Sequence, residues 1–255
     1  MTKIINNVEE WQTIADKMDR QSSLGFVPTM GALHDGHISL VRRCLKDNAV
    51  TVASIFVNPA QFDAPEDLRS YPRDLQSDLS KFKDECVDYV FTPSTAAIYA
   101  DAYRFKVSEN PFSNQLCGAH RTGHFEGVLT VVMRLLNIIH PHRAYFGEKD
   151  YQQWRLVRDM VDAFFMDIEI IRCPTVRESD GLAISSRNRL LSPDARRRAA
   201  DFPTLLREGL DANQIRTALE ARGFKVDYVE ESEGRRFGAV VIENVRLIDN
   251  IKTSR

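Results

Sequence analysis

The chain has 255 residues, of which 43% are hydrophobic and 27% are charged, and its formal net charge is −2. This length suits one large domain or two smaller ones, since a domain usually takes roughly 100–200 residues. The net charge argues against non-specific nucleic-acid binding, which requires a basic surface. We expect no membrane span, because no apolar run approaches the roughly 20 residues that a bilayer requires. We also expect no signal peptide, because the N-terminus lacks an apolar core.

The four cysteines, Cys44, Cys86, Cys117 and Cys173, are far apart and form no CxxC pair. We therefore expect reduced thiols of a cytoplasmic protein rather than disulfides or a zinc site.

The first two thirds of the chain alternate strand patterns with helical ones. A short apolar run at residues 24–27 predicts a strand, and Ile38, Val41 and Leu45 stand at helical spacing after it. Residues 49–57 are almost all apolar and rich in β-branched side chains, which is typical of a parallel strand buried on both faces. A polar loop is predicted at residues 58–72, and further strands at 87–91, 143–146 and 167–172 with helices at 73–85, 123–139 and 151–165.

Such alternation predicts a parallel sheet with right-handed crossovers and helices on both faces, an α/β fold of the Rossmann-like, doubly wound type. The pattern changes near Pro174. Beyond it we predict a helix at residues 213–222 and antiparallel strands at 225–231, 237–242 and 245–248, which indicate a smaller α+β domain. The predicted domains are therefore residues 1–174 and 175–255. Ligands of such sheets collect at the carboxyl ends of the strands.

The most informative segment is residues 28–37, which read PTMGALHDGH. A helix that starts after a glycine-bearing turn exposes unpaired N–H groups and the positive end of its dipole, and both attract phosphate. His34 and His37 add two imidazole donors there, so the segment predicts a phosphate site. Two other interpretations stay open: a partial metal site, although no third ligand and no HExxH are present, and a purely structural histidine pair.

Three further segments carry polar chemistry near predicted strand ends or near the domain junction. Asn58 and Gln61 form an amide pair directly after the second strand. Gly147, Lys149 and Asp150 follow a later strand, where glycine permits close backbone approach and lysine offers a charge for phosphate. The string Ser185-Ser186-Arg187-Asn188-Arg189 combines hydroxyls with fixed positive charge, as a phosphate clamp requires. Each segment taken alone also fits an ordinary loop or surface.

The string at residues 34–37 resembles the HxGH signature of the nucleotidyltransferase superfamily. Longer strings closely resemble the pantoate–β-alanine ligase family within it, in order and over nearly the whole chain. These strings are residues 27–31, 54–62, 71–73, 123–125, 146–153, 180–183, 185–188 and 246–250.

The resemblance implies an AMP-forming ligase that joins pantoate to β-alanine and releases pyrophosphate, with an enzyme-bound pantoyl adenylate as intermediate. It also implies ATP as substrate, a need for Mg²⁺, a homodimer, and a C-terminal domain that acts as a lid over a nucleotide- and pantoate-binding N-terminal domain.

The resemblance further implies residue roles. The catalytic residues would be His34, His37 (the proton donor), Lys149, Ser185, Ser186 and Arg187. The ATP contacts would be Met30, Gly31, Ala32, Leu33, His34, Asp35, Gly36, His37, Gly147, Glu148, Lys149, Asp150, Val176, Ile184, Ser185, Ser186 and Arg187. Pantoate and β-alanine would be held by Gln61, Gln153 and Asn58, and the metal by Asp78.

The chain departs from the family pattern in two places. Many members carry an acidic pair associated with magnesium, whereas here Ser77 stands beside Asp78. Residues 210–237 also look shortened, which bears on lid motion. Three alternatives have distinct sequence marks: another adenylyltransferase should lack the strings at 58–62 and 149–153, an RNA-binding synthetase fragment should be basic, and a dinucleotide-binding module should carry GxGxxG after the first strand.

Overall fold

A computed structural model describes residues 1–19 and 21–253. The chain divides into two compact units. The first comprises Met1–Gly147 and Gln152–Cys173, and the second comprises Glu148–Tyr151 and Pro174–Arg255.

The first unit contains a parallel sheet that has six strands within the described residues, in the order β1-β4-β3-β2-β5-β6. The strand order reverses between β2 and β5, which is the switch point where ligands of such sheets bind. The predicted Rossmann-like, doubly wound fold is confirmed. The strands are β1 (Lys3–Ile5), β2 (Leu24–Thr29), β3 (Val50–Ile55), β4 (Tyr89–Phe91), β5 (Arg143–Gly147) and β6 (Glu169–Cys173).

Helices accompany these strands along the chain. They are α1 (Val8–Ala15), α2 (Asp35–Asp47), α3 (Pro65–Ser70), α4 (Leu75–Asp84), α5 (Thr95–Ile98), α6 (His124–Ile139) and α7 (Tyr151–Ala163). The loop predicted at residues 58–72 contains α3 and a single 3₁₀ turn at Pro59–Gln61. The sequence patterns do not predict β1 or α1, which are short and bury little: Trp11 is the buried residue of α1.

The second unit packs helices on an antiparallel sheet in the order β7-β8-β9, which confirms the smaller α+β architecture. Its elements are α8 (Pro193–Ala199), α9 (Asp201–Arg207), α10 (Ala212–Ala221), β7 (Lys225–Ser232), β8 (Arg235–Ile242) and β9 (Val245–Lys252). Phe202 and Leu206 of α9 lie so close to β8 that a Cβ on Gly238 would come within 2.8 Å of the Phe202 ring. Glycine therefore permits the contact that closes this core.

All four cysteines are free thiols, and three of them are buried. Burial raises the pKa of Cys44 to about 12 and that of Cys173 to about 11, so both thiols stay protonated at neutral pH. In residues 1–19 and 21–253 there is no helix of the length and apolar character that crossing a membrane would take.

Candidate active site

The turn between β2 and α2 has a backbone shape that few sequences adopt. Gly31 has a φ of 77° and Ala32 a φ of 52°, so two successive residues lie in the left-handed region. Glycine accepts this conformation without strain, whereas alanine needs support from its surroundings.

Asp78 of α4 supplies that support. Its two carboxylate oxygens accept hydrogen bonds from the backbone N–H of Ala32 and of Leu33, both at 2.8 Å. Lys81, one turn later on the same helix, donates from Nζ to the Leu33 carbonyl oxygen at 2.6 Å. Helix α4 therefore fixes the turn with two charged side chains.

His34 and His37 form a reciprocal cap at the start of α2. The Nδ1 of His34 accepts from the Gly36 N–H at 3.1 Å, and the Nδ1 of His37 accepts from the His34 N–H at 3.4 Å. The ring centroids are 4.0 Å apart. Because each Nδ1 acts as an acceptor, the proton of each neutral ring lies on Nε2. Both rings are thus set as Nε2–H donors at a helix N-terminus, an arrangement that suits an anion.

The glycine of the HxGH string has a steric reason. A Cβ on Gly36 would come within 2.8 Å of His34 Cε1 and 2.9 Å of His34 Nδ1. Any larger residue would displace the ring that caps the helix.

Asp78, the predicted magnesium ligand, is buried against the turn. The side chain is 2% exposed, and both of its oxygens already bind the turn. Nor do the described residues bring together three or more His, Cys, Asp or Glu side chains that could hold a metal. Asp78 thus supports the turn, and its role as a metal ligand stays a prediction.

Asn58 and Gln61, the amide pair after β3, make different hydrogen bonds. Asn58 is 1% exposed and uses both ends of its carboxamide: Nδ2 donates to Gln61 Oε1 at 2.9 Å and to the Gly127 carbonyl at 3.1 Å, while Oδ1 accepts from Tyr99 and Ala60. Asn58 therefore holds Gln61, and its contact with substrate stays a prediction.

Gln61 is fixed at its backbone as well. Its carbonyl oxygen accepts from His124 Nδ1 at 2.8 Å and from Arg121 at 3.3 Å, and Arg121 is itself paired with Asp63 at 3.1 Å. Since Nδ1 of His124 faces a carbonyl, it carries the proton, and Nε2 accepts from Arg121 at 3.2 Å.

The two glutamines at the start of α7, Gln152 and Gln153, also differ in burial. Gln152 is buried and bonded to backbone groups of Phe112, Gln115 and Cys117. The predicted pantoate contact, Gln153, is half-buried beside it.

In the second unit, the predicted phosphate clamp begins a short 3₁₀ helix, Ser186–Leu190. The Ser185 hydroxyl caps it by accepting from the Arg187 N–H at 3.3 Å, and Asn188 donates to Glu178 and to the Ala183 carbonyl, both at 3.1 Å. Two predicted nucleotide contacts are neighbours here, because the Ile184 N–H donates to the Val176 carbonyl at 3.0 Å.

Ion pairs hold this segment in place. Arg177 makes a bidentate pair with Asp249 of β9 at 2.6 and 2.9 Å, and Arg196 of α8 reaches both Glu178 and Asp180, at 2.6 and 2.7 Å. The Arg196 guanidinium lowers the pKa of the Asp180 carboxyl below its usual range.

The segment that follows β5 belongs to the second unit. Asn250 of β9 donates to the carbonyl oxygens of Glu148 and Lys149, both at 2.9 Å, and Arg235 of β8 pairs with Glu148 at 3.1 Å. Lys149 and the Ser185–Arg187 segment therefore lie in one unit, both packed against β9.

The predicted residues thus fall into two groups. Residues 30–37, Asn58, Gln61, Asp78, Gly147 and Gln153 lie in the first unit, and residues 148–150, Val176 and 184–187 lie in the second. The supporting residues Tyr99, Asp249 and Asn250 had no predicted role. Asp249 and Asn250 stand inside a string that resembles the family, which was the signal available for them.

A sequence profile of the Pantoate-beta-alanine ligase family matches residues 3–252. The chain belongs to this family. A pantothenate synthetase of Legionella pneumophila (strain Lens) is 50% identical over 248 residues, which is 97% of this chain and 98% of that protein. The pantothenate synthetase of Bdellovibrio bacteriovorus is 48% identical over 252 residues, or 99% of this chain and 100% of its own length.

Solved structures of pantoate-beta-alanine ligases agree with the fold. The Francisella tularensis enzyme, complexed with β,γ-ATP and β-alanine, superposes with a TM-score of 0.95 at 40% identity, covering 99% of this chain and 98% of that one. The pantothenate synthetase of Thermus thermophilus gives 0.88 at 38% identity, with coverages of 98% and 99%.

Proposed function

We propose that the chain condenses pantoate with β-alanine at the expense of ATP, through an enzyme-bound pantoyl adenylate, and releases pantothenate, AMP and pyrophosphate. The observation that carries this proposal is the turn at residues 30–37, where two histidines present Nε2–H groups at a helix start in a member of the pantoate-beta-alanine ligase family. The relative complexed with β,γ-ATP and β-alanine supports the same substrates here.

In the first step, a pantoate carboxylate oxygen attacks the α-phosphorus, and the bond to the bridging oxygen of pyrophosphate breaks. Negative charge grows on the phosphoryl oxygens during this attack, so donors that are already oriented lower the barrier. His34, His37 and the N–H groups at the start of α2 are such donors. His37, which the family resemblance makes the proton donor, would donate a hydrogen bond from Nε2 to the departing charge.

In the second step, the β-alanine amine attacks the activated carbonyl carbon. The carbon–oxygen bond to AMP breaks, AMP leaves with that electron pair, and the proton lost from the amine passes to solvent water as the amide forms. Gln61 and Gln153 are the amides that we propose to orient the hydroxy acid for both steps. Such positioning supplies a large part of the rate, since effective molarities of roughly 10⁵ M and above are known for well-oriented groups.

The second unit contributes cationic and hydroxyl donors. We propose that four side chains donate hydrogen bonds to the phosphate oxygens of ATP: Lys149, Ser185, Ser186 and Arg187. Glu148, Asp150, Val176 and Ile184 are proposed as contacts of adenosine, as is Gly147 of the first unit. Asn250 and Arg235 would act indirectly, by holding the backbone at Glu148 and Lys149.

Magnesium, when it accompanies ATP, binds chiefly through phosphate oxygens and water with one or two carboxylates. Asp78 is the one carboxylate proposed for it, although both of its oxygens also accept hydrogen bonds from the turn. We further propose a cytoplasmic location and a homodimer. The proposed domains are residues 1–174 and 175–255, and the second of them acts as a lid.

The test is a pair of assays on the purified protein. Given ATP, magnesium, pantoate and β-alanine, it should release AMP and pyrophosphate in equal amounts. Given pantoate without β-alanine, it should exchange labelled pyrophosphate into ATP, because the adenylate forms reversibly. Release of AMP at the same rate without pantoate contradicts the assignment. Turnover without pantoate-dependent exchange contradicts the two-step route.

A further inference from the structure

A chain of side-chain hydrogen bonds joins Tyr99, a residue without a role in the function above, to Gln61. The Tyr99 hydroxyl lies 2.6 Å from Asn58 Oδ1, and Asn58 Nδ2 lies 2.9 Å from Gln61 Oε1. Tyr99 and Asn58 are both buried, so water does not substitute readily for a lost bond.

The orientation of the Asn58 carboxamide is fixed by backbone groups that have only one polarity. The Ala60 N–H can only donate, so the atom facing it at 3.2 Å is the oxygen of Asn58. The Gly127 carbonyl can only accept, so the atom facing it at 3.1 Å is the nitrogen. The two ends of the amide are therefore distinguished by the chemistry of their partners.

The orientation of the Asn58 carboxamide determines which atoms of Tyr99 and Gln61 donate and which accept. Since Asn58 Oδ1 is an acceptor, the Tyr99 hydroxyl donates to it. Since Asn58 Nδ2 is a donor, Gln61 must turn its oxygen toward Asn58, and its Nε2 points to the other side. Within residues 1–19 and 21–253, Nε2 of Gln61 has no hydrogen-bond partner.

Tyr99 is itself held by a rigid setting. The Arg134 guanidinium lies 4.8 Å from the centre of its ring and also binds Asp101 and the Ile98 carbonyl, at 2.6 and 2.7 Å. The Tyr103 ring meets it edge-on with centroids 5.1 Å apart. Burial raises the pKa of Tyr99, so its hydroxyl remains a donor at any pH at which the enzyme works.

We propose that Tyr99 is a positioning residue that acts through Asn58 to fix the Gln61 carboxamide, so that an N–H and not a carbonyl oxygen is offered to an oxygen of pantoate. The inference rests on the proposed function and deepens it, because it names the polarity of one substrate contact and the residue that sets it. A site that offers only a donor favours substrates with a carboxylate or hydroxyl oxygen at this position.

The first test is Tyr99→Phe, which removes one oxygen and keeps the ring. We expect the KM for pantoate in the exchange assay to rise about tenfold, the effect of roughly one hydrogen bond, while the KM for ATP changes less than twofold. Tyr103→Phe is the matched control. Its ring also packs in this cluster, its hydroxyl has no partner among the described residues, and it should leave both constants unchanged.

A double-mutant cycle then tests whether Tyr99 acts through Gln61. In a Gln61→Ala background, Tyr99→Phe should cause no further rise in the KM for pantoate. Asn58→Asp places an acceptor where Nδ2 donates, so Gln61 must turn its Nε2 inward; the KM should rise more than for Tyr99→Phe, and again not in the Gln61→Ala background.

Three outcomes decide the matter. A pantoate-specific rise that vanishes in the Gln61→Ala background supports the proposal. A fall in melting temperature or kcat with an unchanged KM for pantoate, or an effect that persists without Gln61, overturns it and leaves Tyr99 with a structural role. If the unmodified protein shows no pantoate-dependent exchange, the proposed function fails, and that result is distinct from both others.

Discussion

The two segments that we propose to bind phosphate are stabilised in different ways. The turn at residues 30–37 is held by a buried carboxylate, Asp78, which binds backbone N–H groups. The segment at residues 177–189 is held by ion pairs such as Arg196–Asp180, whose side chains are 26% and 35% exposed. The hydrogen bonds of Asp78 are buried, so solvent hardly reaches them. Water and salt, in contrast, weaken the attraction between Arg196 and Asp180.

The two segments should therefore respond differently to substitution. Loss of a buried partner leaves polar groups that nothing else satisfies, so damage to the turn should be large and independent of salt. Loss of a half-exposed ion pair should cost little and should disappear at high ionic strength. Variants of His37, Asp78 and Asp180 measure this contrast, in decreasing order of the expected effect.

His37 has two functions that substitution can separate. Asn places an oxygen near the position of Nδ1 and keeps the cap on the His34 N–H, but it lacks the distal donor. We expect His37→Asn to lower kcat about 10²–10³-fold, the usual cost of one donor to a developing oxyanion, with little change in melting temperature. Turnover and thermal unfolding are measured on the same preparation.

The matched variant is His37→Gln, which places an amide N–H near the position of Nε2 and lacks the cap acceptor. It should retain more activity than His37→Asn but lose about 1 kcal/mol of unfolding free energy, the typical net value of one hydrogen bond. If His37→Asn instead lowers the melting temperature and keeps kcat, the histidine pair is structural, as the alternative interpretation of the sequence holds.

Removal of the Asp78 carboxylate should damage the turn through its backbone. In Asp78→Asn an amide NH₂ faces one of the two N–H groups, so a buried donor loses its acceptor at a cost of about 1–3 kcal/mol. We expect a lower free energy of unfolding and a raised KM for ATP, since Ala32 loses support for its left-handed backbone. Chemical denaturation and ATP-dependent kinetics are the measurements.

Asp74→Asn provides the control, because Asp74 is an exposed N-cap of the same helix and Asn caps as well as Asp. It should change neither quantity. A magnesium-ligand role for Asp78 predicts a different result: an unchanged stability and a higher magnesium concentration for half-maximal activity. That outcome contradicts the role of Asp78 as a support for the turn.

The sequence predicted those elements whose pattern is local. The strand at residues 49–57 was recognisable as β3 because both faces are buried, and α2 because its apolar residues recur at helical spacing. The three-residue strand β1 carries too short a pattern to be recognised, since its place in the sheet depends on pairing with β4 far along the chain. The pattern around His34 and Gly36 that predicts an anion site also lies within a few neighbouring residues.

The supports of the site could not be predicted in the same way. Asp78 and the turn are joined across 45 residues, and Asn250 meets Lys149 across 101. Nothing in the local pattern around Asp78 distinguishes a carboxylate that binds backbone N–H groups from one that binds a metal. Asn58 and Gln61 look alike in sequence, and only the structure shows that both ends of the Asn58 carboxamide bind protein groups.

We expect substitution of Asp180 to have the smallest effect on the free energy of unfolding. The pH dependence of that effect shows whether the charge of the carboxylate stabilises the fold. Arg196 lowers the pKa of this carboxyl in the folded protein, whereas in the unfolded chain the value is near the ordinary ~3.9. The group therefore adds stability above pH ~4, and this contribution is lost as the pH falls through the lower, folded pKa. Because the side chain is 35% exposed, we expect Asp180→Asn to cost no more than about 0.5 kcal/mol at pH 7.

Urea unfolding of Asp180→Asn and the unmodified protein measures this contribution. The difference between them should be constant from about pH 8 to about pH 5 and should shrink toward about pH 3 and in roughly 1 M salt, as a screened charge requires. Asp194→Asn removes an exposed carboxylate that pairs with Arg197 and Arg198 on α8, and it tests whether any lost ion pair in this unit has the same effect. A difference that persists in acid means that Asp180 does not act through its charge, and the contrast with the buried turn then disappears.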